Sequence, residues 1–105
     1  MMETELASII KHKVHQIIPN AKVLLFGSRA KGNDNLDSDY DLLIICDAEL
    51  SPRQKINYLS ELNFELVKLL KKPFDILLNS QKEIETKKQI PGHVVSWAIK
   101  DGVLL

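Results

Sequence analysis

The sequence predicts a small α/β (α+β) fold in which helices pack on a β-sheet. Two patterns indicate this fold. Short apolar runs of strand length recur along the chain, and segments with apolar residues at helical spacing lie before, between and after them. The runs that we interpret as strands cover residues 23–26, 40–46 and 74–78.

The first helix is predicted to begin near Thr4 and to stop at Pro19-Asn20, because proline cannot continue a helix. Its apolar residues recur at helical spacing, which indicates one face that packs on the sheet. His12 and His15 fall on the opposite face. We therefore interpret both histidines as solvated residues rather than metal ligands.

The central helix is predicted to begin at Ser51-Pro52, with serine as the N-cap and proline at the first helical position. It ends at Lys71-Lys72, before Pro73. The helix joins the second strand to the third, and a crossover of this length allows the two strands to be parallel neighbours. The sequence alone leaves the strand directions open.

The last quarter of the chain carries weaker patterns. Residues 80–88 predict a charged helix with a solvated face, and residues 93–100 predict a short helix that ends near Gly102. Trp97 on the short helix is expected in the core by default. The apolar residues 103–105 favour a last strand on the sheet, with a contact surface for a partner as the alternative.

The turn Gly27-Ser28 ends the first predicted strand and precedes residues that suit a first helical turn. Such a turn presents backbone N–H groups and a hydroxyl to solvent, which together form an anion site. Gly27 lets the backbone approach a phosphate closely, and Ser28 can donate its hydroxyl. Arg29 and Lys31 could assist the phosphates, although basic residues in an exposed first turn are ordinarily only solvated.

Asp39 and Asp41 stand at the start of the second strand, and ten residues separate Asp39 from the turn. Side chains alternate along a strand, so both carboxylates point the same way. Adjacent carboxylates repel each other unless a cation lies between them, and oxygen ligands favour a hard ion such as magnesium. Asp75 lies in the apolar third strand, where burial without a partner would be costly. If the two strands are neighbours, three carboxylates converge and can hold two metal ions on a phosphoryl group.

Each of these signals has a simpler interpretation when it is taken alone. Two aspartates separated by one residue are more often a turn or the solvated end of a strand, and Asp75 could be a strand-edge residue bonded to neighbouring backbone. The combination with Gly27-Ser28 at this spacing favours a functional site.

These motifs resemble the signature of the DNA polymerase β-like nucleotidyltransferase superfamily, and most closely its minimal nucleotidyltransferases (MNT type). The resemblance is carried by the stretch Gly27 to Gly32 (GSRAKG), by Ser38 to Leu42 (SDYDL) and by the later Asp75. It implies a nucleotidyltransferase-like fold with a small mixed sheet. It also implies that Gly27, Ser28 and Arg29 bind the triphosphate of ATP, and that Asp39, Asp41 and Asp75 are catalytic residues that hold two magnesium ions.

The resemblance further implies an acceptor. Proteins similar to this one act as antitoxins that transfer AMP to a tyrosine of a HEPN-type toxin partner. Two alternatives stay open: an antitoxin that neutralises its partner by binding alone, and a catalytic subunit that modifies a small molecule or a nucleic-acid end with a helical partner subunit. A homodimer and a hetero-complex both fit so short a chain.

Length and composition set the outer limits. With 105 residues, 45% of them hydrophobic, residues 1–105 are expected to form a single domain. The net charge is zero, which disfavours nucleic acid as a direct partner. The one cysteine, the acidic N-terminus and the lack of an apolar stretch of ~20 residues predict a cytoplasmic protein without a membrane span.

Overall fold

The computed structural model describes residues 4–27 and 40–105. Within these ranges the chain forms four helices and four strands. In chain order they are α1 (Thr4–Ile17), β1 (Lys22–Phe26), β2 (Tyr40–Cys46), α2 (Pro52–Leu70), β3 (Phe74–Ser80), α3 (Gln81–Lys87), α4 (Val94–Asp101) and β4 (Val103–Leu104). The α/β prediction is therefore confirmed, and the predicted boundaries differ from these by one or two residues.

The strands form one mixed sheet in the order β3-β2-β1-β4. β1 pairs with β2 and β4 in antiparallel orientation, whereas β2 and β3 are parallel. The α2 crossover makes the parallel pairing possible, because its length carries the chain back to the start of the sheet. The favoured interpretation of the C-terminal residues as a last strand is also confirmed, since β4 lies beside β1.

Helices cover both faces of the sheet. On one face α1 and α2 enclose the larger core, in which Ile10 and Leu62 are fully buried with Leu42 of β2. On the other face α3 and α4 enclose a smaller core with Leu43 and Ile45 of β2. Neighbouring residues of β2 thus serve opposite cores, as the period of two in a strand requires.

The start of α2 follows the sequence prediction. The Ser51 hydroxyl accepts a hydrogen bond from the backbone N–H of Gln54 at 3.2 Å, and the Gln54 side chain accepts one from the Ser51 N–H at 2.9 Å. Pro52 occupies the first turn, where a missing N–H costs nothing. This capping box fixes the point at which the crossover leaves β2.

Three expectations about residues on the helices are wrong. Trp97 is 60% exposed, because the side of α4 that packs on the sheet carries Val95 and Ala98 instead. His15 is half-buried rather than solvated, and its Nε2 lies 2.8 Å from the Ala21 carbonyl oxygen. Glu83 of α3 is not part of a purely solvated face, since its carboxylate contacts two lysine ammonium groups.

Among the described residues, no helix combines the length and the apolar character needed to cross a bilayer.

Candidate active site

The candidate site lies where β1 ends and where β2 and β3 begin. Phe26 of β1 is the register partner of Asp41 on β2, and Asp41 is in turn the register partner of Asp75 on β3. Adjacent strands are about 4.8 Å apart, so the two carboxylate-bearing residues are immediate neighbours. β2 and β3 are therefore neighbours. This is the condition under which the sequence predicted that Asp41 and Asp75 converge.

Both aspartates belong to the face of the sheet that α3 and α4 cover. Asp41 alternates with Leu43 and Ile45 of the smaller core, and Asp75 is two residues before Leu77 of the same core. Because alternate residues of a strand share a face, the two side chains leave the sheet on the same side. Two carboxylates on one side of neighbouring strands create a local concentration of negative charge.

Gly27 is the residue that brings the backbone of β1 against this charge. Its φ is 78°, a left-handed conformation that L side chains rarely adopt. A Cβ at this position would overlap the Oδ2 atom of Asp41. Glycine is therefore required twice over, by the backbone angle and by the carboxylate beside it.

Asp75 is exposed, which corrects one expectation from the sequence. We expected that its apolar strand would make an unpartnered carboxylate costly to bury. β3 is an outer strand of the described sheet, and Asp75 stands near its first residue, so the carboxylate keeps contact with water. Burial cost thus does not require a metal ion at Asp75.

Three of the predicted site residues, Ser28, Arg29 and Asp39, lie outside the described residues, as does Lys31. Within residues 4–27 and 40–105, no three His, Cys, Asp or Glu side chains group closely enough to hold a metal ion. Two of the three predicted metal ligands are nevertheless adjacent.

The donor chemistry of this site fits a hard divalent cation. Asp41 and Asp75 offer carboxylate oxygens, the ligands that magnesium prefers. The Asp41 carboxylate fills the space that a side chain at Gly27 would take. The two carboxylates can therefore serve as ligands of a cation, and a cation there would favour an anionic group near the Gly27 backbone.

A groove adjoining the site was not predicted from the sequence. It has a volume of about 450 Å³ and lies between α4 and the end of β1. The described residues that line it are Phe26, Gly27, Val94, Trp97, Lys100 and Asp101. Helical periodicity could have pointed to it, because Trp97 is two residues from the core residue Val95, and such a pair lies roughly 200° apart around a helix.

A cluster of charged side chains lies near the opposite end of β3. The Lys55 ammonium is 2.9 Å from a Glu83 carboxylate oxygen, and the Lys87 ammonium is 3.3 Å from the same oxygen. Partial burial alone would raise the pKa of Glu83, but hydrogen bonds from Lys55, from the Ser80 N–H and from Lys87 lower it to about 2. Lys87 also donates to the buried Asn79 side chain at 2.6 Å. This cluster ties α2 and α3 to β3 rather than forming part of the site.

Cys46 is buried at the end of β2. Burial raises the pKa of its thiol, and the sulfur donates to the Ala48 carbonyl at 3.2 Å. A thiol with a raised pKa is a poor nucleophile, so Cys46 has a packing role.

Comparisons with known proteins agree with this geometry. Residues 4–96 match the family described as "Polymerase beta, Nucleotidyltransferase". None of the curated proteins matches the chain. A solved toxin–antitoxin structure with AMP-PNP is 19% identical, with a TM-score of 0.62, over 91% of this chain and 69% of that chain.

Two further solved structures share the fold. A putative nucleotidyltransferase from Sulfolobus solfataricus is 24% identical, with a TM-score of 0.61, over 95% of this chain and 76% of that chain. A complex of tri-AMPylated HEPN toxin from Shewanella oneidensis with MNT antitoxin is 17% identical, with a TM-score of 0.61, over 98% of this chain and 71% of that chain. At these identities the likeness is one of fold, whereas the family match covers most of the sequence. The chain belongs to the polymerase beta nucleotidyltransferase family.

Proposed function

We propose that this protein is a magnesium-dependent nucleotidyltransferase that transfers AMP from ATP to a hydroxyl group of an acceptor. The observation that carries the proposal is the register pairing of Asp41 with Asp75, with the backbone of Gly27 against the Asp41 carboxylate. This combination offers a place for a phosphate chain at Gly27 and carboxylate ligands for a cation. In Asp75 it also offers a carboxylate that can accept a proton.

The phosphate chain binds at the Gly27 end. Gly27 carries no side chain of its own that would keep a phosphate from its backbone, although the Asp41 carboxylate lies against the same residue. Ser28 and Arg29 follow directly in the sequence and bring a hydroxyl and a guanidinium, both of which donate hydrogen bonds to phosphate oxygens. The β- and γ-phosphates of ATP are assigned to these three residues.

Asp39, Asp41 and Asp75 would hold the magnesium. By analogy with the family, there would be two magnesium ions. When bound, magnesium neutralises the charge of the phosphates and of the departing pyrophosphate. Asp41 and Asp75 stand side by side because β2 and β3 are hydrogen-bonded in register. The strands thereby fix the relative position of the ligands before a substrate arrives.

Asp75 serves the acceptor. Its exposed position on an outer strand lets an acceptor as large as a protein reach the carboxylate. The carboxylate accepts the proton of the acceptor hydroxyl, and that oxygen forms a bond to the α-phosphorus of ATP. The bond between the α-phosphorus and the bridging oxygen breaks, and pyrophosphate leaves with the electron pair. Asp75 then returns its proton to solvent.

We infer that the acceptor is a tyrosine of a HEPN-type toxin, which would make this protein an antitoxin. Two solved structures with the same fold are toxin–antitoxin complexes, one of them with tri-AMPylated HEPN toxin and MNT antitoxin. The exposed Asp75 supports an acceptor presented by another protein.

The test is intact-mass spectrometry of a HEPN-type protein encoded beside this gene, after incubation with this protein, magnesium and ATP. The proposal predicts a gain of one or more AMP units with the unmodified enzyme and none with the Asp39→Asn/Asp41→Asn variant. Complex formation without any mass gain would contradict AMP transfer to that protein and favour an antitoxin that acts by binding. A gain that persists in the variant would contradict the site.

A further inference from the structure

The groove between α4 and the end of β1 has the size and lining of a small-molecule site. Its volume of about 450 Å³ falls within the range of roughly 300–1,000 Å³ that is usual for ligand pockets. Phe26, Val94 and Trp97 form apolar walls, and Lys100 and Asp101 add charged groups in the last turn of α4. Ligand pockets commonly combine apolar walls with a few polar groups in this way.

Trp97 is the side chain that most needs an explanation. Tryptophan buries a large apolar area when it packs in a core, yet this indole is 60% exposed. The neighbouring Val94, one helical turn earlier, is exposed as well. α4 does not need either side chain for its own packing, because Val95 and Ala98 already fill the core beneath the helix. An exposed indole of this kind offers a flat surface on which an aromatic ring can stack.

The groove also adjoins the candidate site. Gly27 belongs to both, since it lines the groove and lies against the Asp41 carboxylate. A nucleotide base is joined to the α-phosphate by one ribose. With the α-phosphate near Asp41, a base can therefore reach the groove without moving the phosphates away from Gly27.

The groove and the acceptor lie on opposite sides of β2. Asp75, the proposed base for the acceptor hydroxyl, is on β3, whereas Gly27 follows β1 on the other side of β2. Two strand spacings, roughly 10 Å, separate these positions. The groove is thus on the side of the triphosphate, not on the side from which the acceptor arrives.

We propose that this groove receives the base of the nucleoside triphosphate, which stacks on the Trp97 indole between Phe26 and Val94. The inference rests on the proposed function, because it assigns the nucleoside half of the same substrate. Lys100 also lines the groove, beside Asp101, and its ammonium group can pair with the anionic substrate.

Trp97 is the only tryptophan in the chain, so its fluorescence reports on the groove alone. The experiment titrates the protein with ATP and, separately, with inorganic tripolyphosphate, both with magnesium, and follows tryptophan emission. ATP should change the emission saturably, because its base covers the indole. Tripolyphosphate should displace ATP and restore the emission, because it occupies the phosphate site without a base.

Calorimetric titration of variants provides the second measurement. Stacking of one base on an aromatic side chain contributes roughly 1–3 kcal/mol, so Trp97→Ala should raise the Kd for ATP about 5- to 140-fold. The Kd for tripolyphosphate should stay the same, and Trp97→Phe should recover most of the affinity for ATP. Phe64→Ala is the matched control, since Phe64 is an aromatic residue with 63% exposure on α2, across the sheet from α4.

The outcomes separate this inference from the proposed function. If ATP binds without a change in emission and with the same Kd in Trp97→Ala, the base lies elsewhere and the groove serves another ligand or a protein partner. If neither ATP nor tripolyphosphate binds to the folded protein, the proposed function itself fails and this inference fails with it. Equal losses for ATP and tripolyphosphate in Trp97→Ala would also overturn the base assignment.

Discussion

Asp41 on β2 and Asp75 on β3 are register partners on two parallel strands, and their side chains leave the same face of the sheet. The pairing depends on α2, whose crossover returns the chain to the same edge of the sheet. Chain topology, rather than local sequence, therefore brings the two carboxylates together.

Replacing Asp41 with asparagine should remove transfer while leaving the fold intact. Asparagine keeps the size of the side chain but loses the charge that a cation requires. Mutation of residues that only hydrogen-bond to metal ligands typically lowers activity roughly 10- to 100-fold. Because Asp41 would be a ligand itself, we expect a loss of at least about 100-fold in the rate of AMP transfer. Asp47→Asn, just beyond the other end of β2, is the matched control and should retain the wild-type rate. Equal rates in the two variants would remove Asp41 from the site.

Asp75→Asn should separate substrate binding from chemistry. Asp75 is proposed both to accept the proton of the acceptor hydroxyl and to share a magnesium ion, so the variant should lose more in rate than in ATP affinity. AMP transfer should be at least about 100-fold slower, with a smaller rise in the Kd for ATP. Calorimetry gives the Kd, and intact-mass time courses give the rate. A variant that transfers at the wild-type rate would show that another group takes the proton of the acceptor.

Gly27→Ala should lower both the stability and the ATP affinity by more than the strained backbone angle alone would. Gly27 and Gly92 both have φ of 78°, but a Cβ at Gly92 would meet nothing within 4 Å, whereas a Cβ at Gly27 would overlap the Asp41 carboxylate. Gly92→Ala should therefore lower the free energy of unfolding by about 1–2 kcal/mol and leave ATP binding unchanged. Gly27→Ala should lower it further and weaken ATP binding as well.

Urea unfolding and ATP titration of both glycine variants make the comparison. Two variants with the same stability and the same ATP affinity would contradict the contact between Gly27 and Asp41.

Glu83 should make stability depend on pH in acid solution. Its pKa is lowered from an ordinary 4.5 to about 2 in the folded protein, so the unfolded chain binds the proton more readily. The resulting stabilisation is present above about pH 4.5 and is lost as the pH falls toward 2. Glu83→Gln should flatten the dependence of the free energy of unfolding on pH in this window.

Urea unfolding at several pH values checks this prediction, with Glu61→Gln on the exposed surface of α2 as the control. The control should keep the slope of the wild type. An unchanged slope in Glu83→Gln would mean that the contacts with Lys55 and Lys87 do not persist in solution.

Much of the fold could be predicted because it depends on local patterns. The apolar run that became β2, the Ser51-Pro52 start of α2 and the glycine after β1 each carry their signal within a few residues. The exposure of Asp75 could not be predicted, because it depends on β3 being an outer strand of the described sheet. An apolar run looks the same whether its strand is central or at the edge.

The position of Trp97 shows a second limit of sequence reasoning. Tryptophan is usually buried, and that general preference outweighed the helical spacing that separates it from Val95 and Ala98. Glu83 shows a third, because its partner Lys55 is 28 residues away on another helix. Contacts of this kind depend on how the helices pack on the sheet, which the sequence does not specify directly.

The most direct test of the central claim follows the α-phosphate and the γ-phosphate of ATP separately. ATP labelled at the α-phosphate and ATP labelled at the γ-phosphate are each incubated with this protein, magnesium and the HEPN-type acceptor. Attack on the α-phosphorus predicts that the α label becomes attached to the acceptor and that the γ label appears in pyrophosphate. Transfer of the γ label to the acceptor, or release of inorganic phosphate without labelled acceptor, would contradict nucleotidyl transfer.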